Sequence, residues 1–198
     1  MRCLRHLSLL FLTICLIPVH AQRFELPSFT LNEAETALVN LVNEYRHGYG
    51  LPPVALSKNL TYVAKLHVQD LAENLPYNQR CNLHSWSSEG PWTACCYTED
   101  HAQAACMWNK PQEISNYPGI GYEIAYWTDE PLSPEDFAAK ALAGWKRSTN
   151  HNVVIINKGR WKDRHWNAMG VGVYQGYAAV WFGEEKDPDQ LVAAKARP

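Results

Sequence analysis

Two histidines and one glutamate are the residues of this 198-residue chain that are best suited to chemistry. His84, Glu123 and His151 come from three separate segments, and Ser148 lies three residues before His151. Two neutral imidazoles and a carboxylate can hold a divalent metal such as zinc, with one position left open for water. A metal-bound water reaches a pKa of about 7 and can hydrolyse a carbonyl or phosphoryl group. His84, His151 and Glu123 are therefore candidate metal ligands.

The same residues admit an interpretation without metal. His84, Glu123, Ser148 and His151 can form a hydrogen-bonded polar network that closes a cleft. We favour this network, because the ligands come from distant segments and no H-E-x-x-H helix is present. The alternative is a metal-assisted enzyme, whose cofactor would be a divalent metal such as zinc.

Other catalytic arrangements find little support. A serine hydrolase would need a base and an acid around Ser85 or Ser148, and the G-x-S-x-G motif is missing. A thiol nucleophile is disfavoured because the cysteines are expected to be paired. His67 lies on the apolar stripe of a helix, where we expect a hydrogen-bonded core histidine rather than a ligand.

The first 21 residues have the features of a secretory signal. Arg2 and Arg5 precede an apolar stretch at 7–19, and Val19-His20-Ala21 fits a signal peptidase site. The stretch is shorter than the roughly 20 residues that span a bilayer, so we expect no membrane span. We therefore predict a secreted, extracellular protein.

The remaining chain has the size of one domain. We predict an N-terminal extension at 22–30, a domain at 31–186 and a C-terminal tail at 187–198. The full chain has 18 Lys and Arg against 20 Asp and Glu, and the predicted signal contains two of the arginines and no acid. With an acidic balance and no basic stripe, we expect no nucleic-acid partner.

Four cysteines outside the predicted signal indicate two disulfides. They are Cys81, Cys95, Cys96 and Cys106. Adjacent cysteines rarely bridge one another, so the pairing is either 81–95 with 96–106 or 81–96 with 95–106. All four lie in the stretch 76–119, where hydrophobic periodicity vanishes, so we expect the disulfides to staple a long loop.

Helical periodicity appears in three places. Thr30 and Glu33 have the spacing of a capping box for a first helix, which Gly48 ends. A second helix is predicted at about 57–74, and a third begins after Ser133.

Three strands complete the predicted domain. They span 121–127, 168–174 and 177–182, and the last two are joined as a hairpin across Gln175 and Gly176. Helices before and between these strands predict an α+β sandwich.

The order of these motifs resembles a known family. A-K-L-H-V-Q-D-L-A at 64–72 is followed by His84-Ser85, G-Y-E-I-A, W-K-R-S-T-N-H-N and G-V-G-V. This order, from about Leu31 to Phe182, resembles the CAP superfamily of SCP, cysteine-rich secretory, antigen 5 and pathogenesis-related 1 proteins, and is most similar to its bacterial type. The resemblance implies an α-β-α sandwich with a central antiparallel sheet and a cleft that holds a His/Glu/Glu/His tetrad.

The tetrad carries over only in part. His84 and His151 match the two histidines, and Ser148 stands in place of the second glutamate. Glu123 is one residue out of step with the family's G-E-N-I-A, where Tyr122 takes the place of the glutamate. Because strand side chains alternate between faces, either a bulge brings Glu123 into the cleft or the cleft is altered.

Some CAP proteins bind sterols or fatty acids. The resemblance therefore implies a secreted, non-catalytic protein that binds a small apolar ligand, a sterol or lipid, or an extracellular protein partner through the cleft. The alternative is a metal-assisted hydrolase, protease-like or esterase-like. Separately, Asn59-Leu60-Thr61 is a glycosylation acceptor sequence, which is relevant only if Asn59 is exposed.

Overall fold

The computed structural model describes residues 23–189 and 191, so the predicted signal and most of the predicted tail lie outside it. The elements follow one another as α1 (Glu33–His47), α2 (Lys58–Asn74), α3 (Ala104–Trp108), α4 (Lys110–Ile114), β1 (Tyr122–Trp127), α5 (Pro134–Arg147), α6 (Thr149–Ile155), a 3-10 helix (Gly159–Trp161), β2 (Ala168–Tyr174) and β3 (Tyr177–Gly183). Within the described residues, no helix is both long and apolar enough to cross a membrane.

The capping box of α1 lies two residues beyond the predicted position. Asn32 accepts a hydrogen bond from the Glu35 amide, and Glu35 accepts one from the Asn32 amide, both at 2.8 Å. The prediction of Thr30 and Glu33 was wrong because Asn caps a helix as well as Thr does. Glu35 is fully buried and also pairs with Lys65 of α2 at 2.6 Å, which fixes this start of the helix.

The three strands form one antiparallel sheet in the order β1-β3-β2. Gln175 and Gly176 both have positive φ, at 45° and 81°, as a two-residue hairpin turn of type I′ requires. The predicted strands and hairpin are confirmed, with strand ends shifted by one residue.

Helices cover both faces of the sheet. α1, α5 and α6 share one apolar core with the sheet face that includes Ile124 and Val180. α2 and the disulfide loop share a second core with the opposite face, which includes Trp181. A Cβ at Gly170 would lie 2.0 Å from the Leu60 carbonyl carbon, so glycine allows α2 to lie directly on β2. The predicted α-β-α sandwich is confirmed.

The loop between α2 and β1 is held by two disulfides, Cys81–Cys96 and Cys95–Cys106. This is the second of the two pairings that the sequence left open. The loop also contains α3 and α4, which the sequence did not predict because five residues are too few to show a periodicity.

The segment after β3 is anchored to the start of α2. Asp187 is buried and accepts hydrogen bonds from the Asn59 amide at 2.9 Å and from Asn59 Nδ2 at 2.6 Å. Asp187, the first residue of the predicted tail, thus caps the first turn of α2 with its carboxylate. Asn59 is fully buried, so the exposure on which the glycosylation prediction depended is not met.

Candidate functional site

A cavity of about 340 Å³, which we call the cleft, opens between β1, α6 and the disulfide loop. Aromatic side chains and titratable groups both line it. The lining includes His84, Tyr97, Glu99, His101, Trp108, Tyr122, Glu123, Ala125, Ser148, His151, Arg160 and Trp161. All four predicted site residues, His84, Glu123, Ser148 and His151, therefore border one cavity.

Glu123 reaches the cleft without a bulge. β1 pairs with β3 in continuous register, with Glu123 opposite Trp181. Strand alternation turns Tyr122 and Ile124 to the core of α1 and α5, and Glu123 to the face of α2. The carboxylate therefore points to α2 and the disulfide loop, where it contacts His67 and His84 beneath the cleft wall. Its side chain is fully buried.

Two histidines hold the Glu123 carboxylate. Oε1 accepts from His84 Nδ1 at 2.7 Å, and Oε2 is hydrogen-bonded to His67 Nδ1. Burial alone would raise the pKa of Glu123, but charge and hydrogen bonds from His67 and His84 outweigh it and lower this pKa to about 2. The carboxylate is thus ionised, with both oxygens engaged.

His67 is the functional residue that sequence reasoning left out of the site. Its ring is fully buried, stacks on Trp86 at 4.3 Å between centroids, and places Nε2 3.0 Å from the Ser85 carbonyl oxygen. A carbonyl and a carboxylate only accept hydrogen bonds, so both ring nitrogens of His67 face acceptors. His67 is a hydrogen-bonded core histidine, as expected, and it also orients Glu123. In the sequence, the indication of this role was the position of His67 on the stripe of α2 that faces the sheet.

His151 approaches the site from α6. Its ring centroid lies 6.1 Å from that of His84. Burial, together with the nearby charge of His84, lowers the pKa of His151 to about 4, and Glu123 opposes this shift only in part. His151 is therefore a neutral imidazole at physiological pH. α6 was not predicted from the sequence, because its seven residues follow α5 across the single residue Ser148.

The loop side of the cleft is formed by Tyr97 and His101. The Tyr97 ring lies 5.2 Å from that of His84, and its hydroxyl is 2.8 Å from His101 Nδ1. Burial and the charge of Glu123 raise the pKa of Tyr97. The disulfides position this wall, because Tyr97 directly follows Cys96.

The arrangement does not assemble the predicted metal ligands. Within the part of the chain that the structure describes, no three His, Cys, Asp or Glu side chains are placed to hold a metal ion together. Glu123 would have to give up His67 or His84 to join His84 and His151 on one ion. These contacts suit a hydrogen-bonded network better than a metal centre.

A family model matches almost the whole of the domain. The family model described as "Cysteine-rich secretory protein family", CAP, matches residues 39–183. No curated protein gives a significant sequence match.

Solved structures share the fold at low sequence identity. An extracellular protein of Bacillus anthracis that contains an SCP domain is 18% identical, with a TM-score of 0.52 over 77% of this chain and 40% of its own. An outer surface protein of Borrelia burgdorferi is 15% identical, with a TM-score of 0.52 over 80% of this chain and 97% of its own. The chain thus spans about two fifths of the length of the Bacillus protein. The family model matches residues 39–183, which is most of this chain. The chain therefore belongs to the cysteine-rich secretory protein, or CAP, family.

Proposed function

We propose that this protein acts outside the cell and binds a ligand in the cleft without chemically changing it. The observation that carries the proposal is the state of Glu123 at the cleft wall. It is ionised and buried, and both of its oxygens are engaged by histidines. Such a carboxylate shapes a pocket but does not take up protons at neutral pH.

The size and lining of the cleft support binding. Its volume of about 340 Å³ falls within the range of small-molecule sites. Trp108, Tyr122 and Trp161 offer aromatic surface, and His84 and His151 offer polar groups that can orient a ligand. A small apolar ligand such as a sterol or lipid, or a segment of a protein partner, suits this combination.

The remaining polar groups support a non-catalytic role. His151 is a weak base, with a pKa of about 4. Ser148 lies at the junction of α5 and α6, and among the described residues no hydrogen bond joins its hydroxyl to His84 or His151. A serine without such a base is not activated as a nucleophile.

The disulfides support an extracellular location. Cys81–Cys96 and Cys95–Cys106 both close loops that border the cleft, and such bridges persist in oxidising compartments. The sequence features of residues 1–21 point the same way.

A thermal-shift experiment tests the proposal. Sterols, fatty acids and short peptides are added to the protein at saturating concentrations, and at least one class should raise Tm, since a ligand at 100 times its Kd adds about 2.7 kcal/mol. Trp161→Ala, in the cleft wall, should abolish the shift. Trp127→Ala, an exposed tryptophan that does not line the cleft, is the matched control and should retain it. If no class of ligand raises Tm, or if Trp161→Ala has no effect, the proposal fails.

A further inference from the structure

One edge of the sheet forms part of the cleft wall. β1 is an edge strand, because β3 lies on one side of it and no strand of residues 23–189 pairs with the other. Glu123 and Ala125 of this strand line the cleft. The main-chain groups on the free side of β1 are therefore available to a bound molecule, if they are unpaired and reachable.

The hydrogen-bond pattern shows which β1 residues face β3. The Thr128 amide donates to the Gly176 carbonyl at 3.0 Å, directly beyond the last paired residues of the two strands. Hydrogen-bonded positions alternate along an antiparallel pair. Tyr122, Ile124 and Tyr126 therefore direct their main-chain groups to β3, and the residues between them direct theirs outward.

Contacts on the outer side agree with this alternation. The Gly121 amide donates to the Trp108 carbonyl at 2.9 Å, and the Ala125 carbonyl accepts from Trp145 Nε1 at 2.9 Å. Between these two contacts lie the Gly121 carbonyl and, within β1, the Glu123 amide, the Glu123 carbonyl and the Ala125 amide. None of these groups has a hydrogen-bond partner among the described residues.

The exposed part of Glu123 is its main chain. The residue as a whole is 6% exposed, whereas its side chain is 0% exposed. The small accessible area thus belongs to the main chain of Glu123, which borders the cleft. Such groups require a partner, because a buried unpaired amide or carbonyl costs free energy.

We propose that the cleft binds an extended peptide segment of another protein, which adds a short strand to the free edge of β1. The proposal rests on the proposed function and names its ligand class. The free groups run donor, acceptor, donor along β1, which is the complement of an extended main chain. A lipid or sterol has no such alternating series. The cleft measures about 340 Å³, so the segment must be short or must leave the cleft at its ends.

A second copy of the chain does not fit this edge. Glu123 and Ala125 are each only 6% exposed, so β1 is recessed in the cleft. Two recessed strands cannot approach each other edge to edge. A separate, flexible segment can enter.

The test begins with peptides selected from a random linear heptapeptide library displayed on phage, using the wild-type protein. Synthetic copies of the binders are then methylated at one backbone amide at a time, and Kd is measured by calorimetry. Strand addition predicts that methylation weakens binding at least about tenfold at alternating positions and is tolerated at the residues between them.

The protein side is tested with Ala125→Pro. Proline removes the outward amide without removing a bond to β3, and edge strands tolerate it. Binding should weaken about tenfold, whereas Trp127→Ala, an exposed position of β1 outside the cleft, should bind within about threefold of wild type. If Ala125→Pro fails to fold, amide hydrogen exchange of the wild-type protein tests the inference instead. Bound peptide should slow exchange of the Glu123 and Ala125 amides at least tenfold.

The outcomes separate this inference from the proposed function. The inference is wrong if no peptide is selected, if every methylated position is tolerated, or if the Glu123 and Ala125 amides exchange unchanged. In those cases a sterol or lipid whose Tm shift is lost in Trp161→Ala would still support cleft binding. If no ligand of any class binds, both proposals are wrong.

Discussion

Glu123 and His67 are joined by a buried hydrogen bond between Oε2 and Nδ1, which connects β1 to α2. The same carboxylate accepts from His84 of the disulfide loop through Oε1. Three segments of the chain therefore meet at one side chain. Fixing these segments around Glu123 shapes the cleft and engages the carboxylate that a hydrolytic site would need free.

Replacing His67 should destabilise the protein strongly. His67→Ala leaves the buried charge of Glu123 with one partner and opens a void beside Trp86. We expect the free energy of unfolding, measured by urea denaturation, to fall by about 3–5 kcal/mol. Gln69→Ala, at an exposed position of the same helix, is the control and should change it by less than about 0.5 kcal/mol. A loss below about 1 kcal/mol in His67→Ala would show that the buried pair is not important for the fold.

Stability should fall on mild acidification because of His151. Its folded pKa of about 4 lies below the usual value of 6.5, so the unfolded chain binds the proton more tightly. The stabilisation is present above pH 6.5 and is lost as the pH falls towards 4. Urea denaturation at pH 7, 5.5 and 4.5 should show a smaller loss for His151→Gln than for wild type. His165→Gln replaces an exposed histidine, and should lose as much free energy of unfolding between pH 7 and 4.5 as wild type does. An equal loss in wild type and His151→Gln would contradict the assignment of this pH dependence to His151.

A second, more acidic transition should come from Glu123. Its folded pKa of about 2 lies below the usual 4.5, so its stabilisation is present above pH 4.5 and is lost as the pH falls towards 2. Glu123→Gln removes this dependence and also places an amide where two histidines donate. We expect the free energy of unfolding at pH 7 to fall by about 2–4 kcal/mol. Below pH 4.5, the free energy of unfolding of the variant should change less with pH than that of wild type. A variant with wild-type stability at pH 7 would contradict the hydrogen-bond geometry.

The contact between α2 and β2 should not tolerate a methyl group. Gly170→Ala would place its Cβ 2.0 Å from the Leu60 carbonyl carbon, so α2 must move away from the sheet. We expect a loss of more than about 3 kcal/mol or a failure to fold, measured by circular dichroism and thermal melting. Gly50→Ala meets no atom within 4 Å and carries only the strain of a positive φ, so about 1 kcal/mol is expected. Similar losses in the two variants would rule out the close packing.

The Cys95–Cys106 disulfide should matter for both stability and binding. Removing it by the double substitution Cys95→Ala, Cys106→Ala frees the loop that supplies Tyr97, and should cost about 3 kcal/mol. Ligands that raise the wild-type Tm should bind at least tenfold more weakly to the variant. Wild-type affinity in the double variant would show that the loop does not form the binding wall.

Elements long enough to repeat their apolar pattern could be predicted from the sequence. α1, α2, α5 and the β2–β3 hairpin fall in this class, whereas α3, α4 and α6 are too short for a periodicity to appear. The start of α1 was displaced because two polar residues, Thr30 and Asn32, can each cap a helix, and the ion pair of Glu35 with Lys65 that favours the second is a tertiary contact.

The site was predictable in part. His84, Glu123 and His151 could be placed together from motif order, but the direction of Glu123 depends on the strand register with β3, which one sequence does not show. His67 was left out of the site because an apolar helical stripe gives no indication of a carboxylate on the neighbouring sheet. Its role follows only from the packing of α2 on the sheet.

Non-catalytic binding in the cleft is tested most directly by following both the protein and the ligand in one experiment. A ligand that raises Tm is titrated into isotope-labelled protein, amide shifts are recorded by NMR, and the ligand is recovered and weighed by mass spectrometry. We predict shifts concentrated at His84, Glu123, Ala125 and His151, and a recovered ligand of unchanged mass. Shifts elsewhere on the surface, or a ligand that is cleaved during incubation, would contradict the proposed function.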